Sequence, residues 1–276
     1  RLCKGLRDTS ANASAAAGDH GNLTGHVEQL GDVVCAHLAI SCARHGLWRP
    51  WLGTGFVRII GANGWVGLRM LKLFYAPGSC ARASHIALRE VNAAFELRLV
   101  DFASAEQRTD EYHDINPKGR VPALATDRGV ITETPAILAY IAQSYPAADL
   151  APLEDPFEFA RMQAFNSYLC ATVHVAHAHG RRGERWADDP DAIAELKRKA
   201  PGRFAECFEL IENRLFAGPW VLGESYSVAD PYLFTVTQWL TFNKIDPARF
   251  PKVQDHHQRM LERAAVRDTL EAEAAS

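Results

Sequence analysis

The stretch LFYAPGSCARASHIALRE, residues 73–90, decides the fold. It leaves an apolar strand, LKLFY (71–75), turns through Ala76, Pro77 and Gly78, and enters a segment with Ala83, Ile86, Ala87 and Val91 at helical spacing. FELRLV (95–100) then alternates as a second strand should, so the three pieces form a β-α-β unit. Further on, a polar helical stretch lies near 104–113 and the turn NPKG occupies 116–119. VPALAT (121–126) and VIT (130–132) read as two strands joined through Asp127, Arg128 and Gly129, and a helix is expected from Pro135 to Ser144.

The order β-α-β followed by β-β-α is that of a thioredoxin-like α/β domain. After the linker SYPAADLAPLEDP (144–156) strand signals stop. Amphipathic stretches at 157–179, 191–216, 228–242 and 251–266 predict an all-α helical-bundle domain. The expected division is thus an extension over 1–69, a thioredoxin-like domain over 70–150 and a helical domain over 151–276. Residues 1–69 stand apart in composition: they hold 11 of the 19 glycines, one of the 14 prolines and no methionine before Met70. They read as upstream sequence that takes no part in the fold and is non-native or disordered.

With 23% charged residues and a formal charge of −3, a strongly basic nucleic-acid binder is excluded. Six cysteines without a C-x-x-C pair suggest neither a zinc site nor a disulfide framework, and a reducing cytoplasm fits. No span of the sequence reads as a membrane segment. VRIIGANGWVG (57–67) imitates a dinucleotide-binding turn, but the helix after it is cut short by LKLFY, and the first acid ending a strand, Asp101, lies about twice too far along.

Chemistry centres on Cys80. Ser79 can cap the helix that begins here, which would set the thiol among free backbone N–H groups at a positive helix end and favour thiolate. Arg82 adds positive charge. Ala83 stands where a dithiol motif would need its second cysteine, so local chemistry is limited to one thiol. Pro122 suits a strand start, and Pro135 the first turn of a helix preceded by Glu133 and Thr134. Ser227 and Asp230 have capping-box spacing, with Pro231 expected to forfeit a backbone bond. His174, His177 and His179 lack an acidic or thiolate partner in step, so no metal is expected.

LFYAPGSCARASHIALRE, INPKGRVPAL (115–124) and ITETPAILAYIAQSYP (131–146) together resemble the bacterial beta-class glutathione S-transferases, a likeness running from Met70 to about residue 270. The resemblance implies glutathione as co-substrate, no metal, and a homodimer. Cys80 would lie against the glutathione sulfur. Tyr75 and Ser79 compete for the same role, since other branches use a tyrosine or serine at these places. A cis Val121-Pro122 bond would present Val121 to the glutathione backbone, Glu133 and Thr134 would hold the γ-glutamyl end, and His174 and Trp239 would face the electrophile. Val175 stands where relatives can carry a lysine. The implied activity is conjugation of the glutathione thiolate to small apolar electrophiles in detoxification. The alternatives are a thiol-disulfide reductase or dehalogenase working through Cys80, and a non-catalytic ligand-binding protein of the same fold.

Overall fold

The computed structural model describes residues 70–276 together with Ile60–Gly61 and Gly64–Trp65. Those two short pieces pair antiparallel, Ile60 opposite Trp65 and Gly61 opposite Gly64. A hairpin therefore occupies the place where a nucleotide fold would run from strand into helix. The remaining expectation for residues 1–69 lies outside the described residues.

From Met70 onward the chain follows the expected order. Strands β1 (Leu71–Tyr75), β2 (Phe95–Leu99), β3 (Ala123–Thr126) and β4 (Gly129–Thr132) form one sheet in the order β2-β1-β3-β4. β1 runs parallel to β2, Leu71 facing Phe95, and antiparallel to β3, Leu73 facing Leu124. Helix α1 (Ala81–Glu90) makes the crossover that a parallel pair requires. The polar stretch near 104–113 resolves into a 3-10 turn, Glu106–Arg108, and helix α2 (Asp110–Ile115), which Thr109 caps by accepting from the Tyr112 N–H. Helix α3 (Thr134–Ser144) closes the domain.

Helix α1 is buried on every side. Ala83, Ile86, Ala87 and Leu88 are buried, and so are Arg82, Ser84 and His85 on its polar face. The sheet alone would cover one face. The other is covered by the helical domain, through α7 (Ala229–Thr237) and α10 (Ala264–Ala274). The main core runs without a break from Leu73 on β1 to Phe204, Phe208, Tyr232 and Leu233 of the second domain. Arg58–Ser276 behave as one compact unit for that reason.

The second half is helical throughout. Helix α4 (Pro156–Tyr168) passes through a π-turn, Leu169–Val173, into α5 (His174–Arg181). Helix α6 (Pro190–Leu210) accommodates Pro201 and ends in another π-turn, Ile211–Leu215. After α7 come α8 (Trp239–Phe242), α9 (Pro251–Leu261) and α10. The stretch expected at 251–266 is thus two helices, because Arg263 is extended.

The capping box forms as expected: Asp230 Oδ2 accepts from the Ser227 N–H at 2.7 Å, and Ser227 Oγ from the Ala229 N–H. Pro231 is a correction. It falls in the first turn of α7, where an N–H has no helical partner, so it forfeits nothing. Among the described residues, no helix is long and apolar enough to cross a membrane.

Candidate functional site

One cleft of about 340 Å³ opens between the sheet domain and helix α5. Its floor is the turn Pro77–Cys80 that joins β1 to α1. Gly78 sits there at φ +69°, a conformation glycine adopts without the penalty a side chain would bring. Trp239 Nε1 donates to the Gly78 carbonyl at 3.0 Å, and the Gly78 N–H donates to Glu273 Oε2 at 2.9 Å. The turn is held by its backbone from both ends.

Cys80 is buried in this floor, and its thiol donates to the Val121 carbonyl at 3.5 Å. The expectation of a thiolate-favouring position is overturned here. Burial pushes the Cys80 thiol up to about 11, only partly offset by the Thr134 hydroxyl, so the sulfur carries its proton at neutral pH. Two details explain the failure. Arg82 turns away, donating to Glu273 at 2.7 and 3.0 Å. The Ala81 N–H, meanwhile, is taken by Ser79 Oγ at 3.2 Å.

Ser79 fulfils its capping role. Its hydroxyl also donates to the Ala76 carbonyl at 2.7 Å, which commits its proton. Tyr75 is absent from the cleft walls: it is buried, its ring 6.0 Å from His85. Of the three candidates for thiol activation, Cys80 and Ser79 reach the cleft and Tyr75 packs the core.

The far wall brings the other expected residues together. The Val121-Pro122 bond is cis, and both residues line the cleft. Glu133 has φ +76°, unusual for a residue with a side chain, and leads directly into Thr134 at the first turn of α3. Its carboxylate pairs with Lys118, whose ammonium also donates to Thr132 Oγ1 at 2.7 Å. The hydroxyl of Thr134 is buried beside Cys80.

Helix α5 supplies the third wall. His174 and His177 both pack on Trp239, ring centroids 4.8 Å apart in each pair, and Asn243 is within 2.8 Å of His177 Nδ1. Burial, followed by the positive charge of Arg182, lowers His174 to about 4, so its ring is neutral at pH 7. His179 instead packs on Trp186. Among the described residues, no group of three or more His, Cys, Asp or Glu is placed to hold a metal ion.

Sequence reading missed several cleft residues. Cys170 of the π-turn lines the cleft, so a second thiol shares it with Cys80. Arg120, Arg181, Arg182 and Arg185 line it too, as does Phe242. The recurrence of 170, 174, 177, 178 and 181 at helical spacing was the available signal; which face would meet the sheet domain was not.

Comparison with known proteins agrees with this architecture. Residues 69–143 match the family model for the glutathione S-transferase N-terminal domain, and residues 174–264 that for the C-terminal domain. The chain is 34% identical to glutathione S-transferase GstA of Escherichia coli O157:H7, over 74% of its own length and 98% of the relative's. A glutathione transferase homologue from Sulfitobacter, solved with bound glutathione, superposes with a TM-score of 0.72 at 42% identity, covering 74% of this chain and 98% of the other. The beta-class glutathione S-transferase of Sphingomonas chungbukensis superposes at 0.66 with 34% identity, over 74% of this chain and 100% of that one. By sequence and by fold, this chain belongs to the glutathione S-transferase family.

Proposed function

We propose that this protein conjugates glutathione to small electrophiles, with residues 70–150 binding glutathione and residues 151–276 contributing the acceptor side. The observation that carries the reading is the convergence on one cleft of Cys80, the cis Val121-Pro122 turn, the Glu133-Thr134 helix start and the His174-Trp239 wall.

The roles follow from chemistry. Val121 offers its N–H and carbonyl to the peptide backbone of glutathione in the manner of an added strand. The α-carboxylate sits at the start of α3 near the Thr134 hydroxyl, and Glu133 takes the ammonium. Cys80, protonated, turns its S–H from the Val121 carbonyl to the glutathione sulfur when the tripeptide binds, and so stabilises the thiolate as a hydrogen-bond donor. That thiolate attacks the electrophilic carbon, the C–S bond forms, and the leaving group departs with its electron pair. Neutral His174 is available as an acceptor for the thiol proton.

A cytoplasmic homodimer active in detoxification accords with this reading. Isothermal titration with glutathione tests it: saturable binding by the wild type, weakened in Cys80→Ala, is expected. Absence of binding to either protein would leave a transferase fold put to another use.

A second reading, a glutathione-dependent reductase cycling Cys80 through a mixed disulfide, draws support from Cys170 in the same cleft. The raised Cys80 thiol weighs against it, because the thiolate is the species that attacks a disulfide. Disulfide exchange faster than conjugation would favour it.

A further inference from the structure

The helical wall of the cleft carries more positive charge than its surroundings balance. Arg181 ends α5, Arg182 follows it, and Arg185 closes the 3-10 turn Gly183–Arg185; all three line the cleft beside His174, Trp186 and Trp239. Among the described residues, none of the three guanidinium groups lies within 4.0 Å of a carboxylate, and none donates a hydrogen bond. Glu184 is adjacent in sequence yet does not pair with them. Glu133 is the acid lining the cleft, and Lys118 already neutralises it.

Arg182 is half-buried at the cleft wall, whereas Arg181 and Arg185 are exposed at its mouth, Arg181 lying over the Phe242 ring at 5.8 Å. The arginines of the cleft also act on one another. Burial, then the charges of Arg182 and Arg120, lower Arg185 below its ordinary range. Three like charges held in one concavity, without counter-charge, focus a positive potential into it.

Glutathione accounts for only part of this charge, since Arg185 is close enough to Arg120 to feel its charge while Arg181 and Arg182 belong to the helical wall. Its γ-glutamyl end is met by the start of α3 and Glu133 on the sheet-domain side. Arg120, adjacent to Val121, is near enough to the peptide-binding turn to meet the glycyl carboxylate. Arg181, Arg182 and Arg185 stand on the opposite wall, among the aromatic side chains that would flank an acceptor.

We propose that the acceptor is an anionic electrophile, an apolar or aromatic carbon skeleton bearing a carboxylate that Arg182 and Arg185 receive while Trp239 and Phe242 flank the ring. This rests on the transferase reading and narrows it. Guanidinium groups suit a carboxylate because their planar donors engage both oxygens.

Two matched aryl chlorides test it: 4-chloro-3,5-dinitrobenzoate and 4-chloro-3,5-dinitrobenzamide. In both, the glutathione thiolate attacks the chlorine-bearing carbon, the C–S bond forms, chloride leaves with the C–Cl electron pair, and the thiol proton passes by way of His174 to buffer. With kcat/KM corrected for the uncatalysed rates, the wild type is expected to favour the benzoate by about fivefold to tenfold. In Arg182→Gln/Arg185→Gln that ratio should fall to near one, and Arg182→Lys/Arg185→Lys should recover part of it. For the wild type alone, raising the salt from about 0.05 M to about 0.5 M should narrow the ratio, as screening requires.

A ratio near one in the wild type, or one unchanged in the Gln variant, overturns the inference while conjugation of the amide leaves the transferase reading standing. Failure of glutathione to bind in the calorimeter overturns both.

Discussion

Glu273 Oε2 accepts from the Gly78 N–H at 2.9 Å, joining the last helix to the turn that carries Cys80. The same oxygen receives Arg82 at 2.7 Å, and the Glu273 side chain is 2% exposed. Burial by itself would raise this carboxyl, but the His85 ring 3.8 Å away and the hydrogen-bonded Arg82 hold it below its ordinary range. Replacing Glu273 with Ala would leave the buried Arg82 charge unpaired, which costs about 3 kcal/mol. Denaturant unfolding should show this loss, and the glutathione Kd should rise because the Gly78 turn is released. An unchanged Kd in a folded Glu273→Ala protein would show that the turn holds itself.

Glu133 offers a substitution whose two effects have opposite signs. At φ +76° its backbone is strained, of order 1 kcal/mol, and glycine would relieve that strain. Its ion pair with the exposed Lys118 contributes little to stability. Glu133→Gly should therefore unfold at equal or higher temperature while binding glutathione at least tenfold more weakly. A destabilised variant with intact binding would remove Glu133 from the proposed site.

His174 makes stability depend on pH. Its folded value of about 4 lies below the unfolded 6.5, so between these values the unfolded chain takes up a proton that the folded chain refuses. Stability must then fall as pH drops from about 6.5 through about 4, by about 3 kcal/mol for this group in all, most of it lost before about pH 4. His174→Gln cannot titrate. The gap in stability between wild type and variant, followed by urea unfolding near pH 7 and near pH 4.5, should shift against the wild type by about 2 kcal/mol. A gap that does not move with pH would mean that the ring protonates freely in the fold.

The Cys80 thiol, raised to about 11, should titrate above the free-thiol value of about 8.5. Thiolate absorbance, taken as the difference between wild type and Cys80→Ala, measures it directly. Alkylation of Cys80 by iodoacetamide near neutral pH should also be slower than that of a free thiol. A midpoint below about 8 would restore the thiolate picture and strengthen the reductase reading.

Much of this was legible in the residues. The parallel pairing of β1 with β2 follows from an apolar run, a helical period and an alternating run, and the cap at Ser227 follows from a side chain that bonds its own helix start. Where side chains point across the domain interface was not legible. Arg82 lies two residues from Cys80 in sequence, but its partner is 191 residues away at Glu273. Thiolate stabilisation argued from neighbours therefore failed: a helix end acts through local N–H groups, whereas burial is set by everything that packs around it. The cluster at 181–185 drew no reading at all, since nothing in RRGER shows which element it will face.

The Glu273 contact also bears on the order of events in synthesis. Residues 70–144 contain the whole sheet and Cys80, yet the turn bearing that thiol is fastened by an atom 195 residues downstream of Gly78. A nascent chain can pair its strands early, but the Glu273 fastening of the cleft floor waits until α10 has been made. Full competence to bind should therefore arrive late in synthesis.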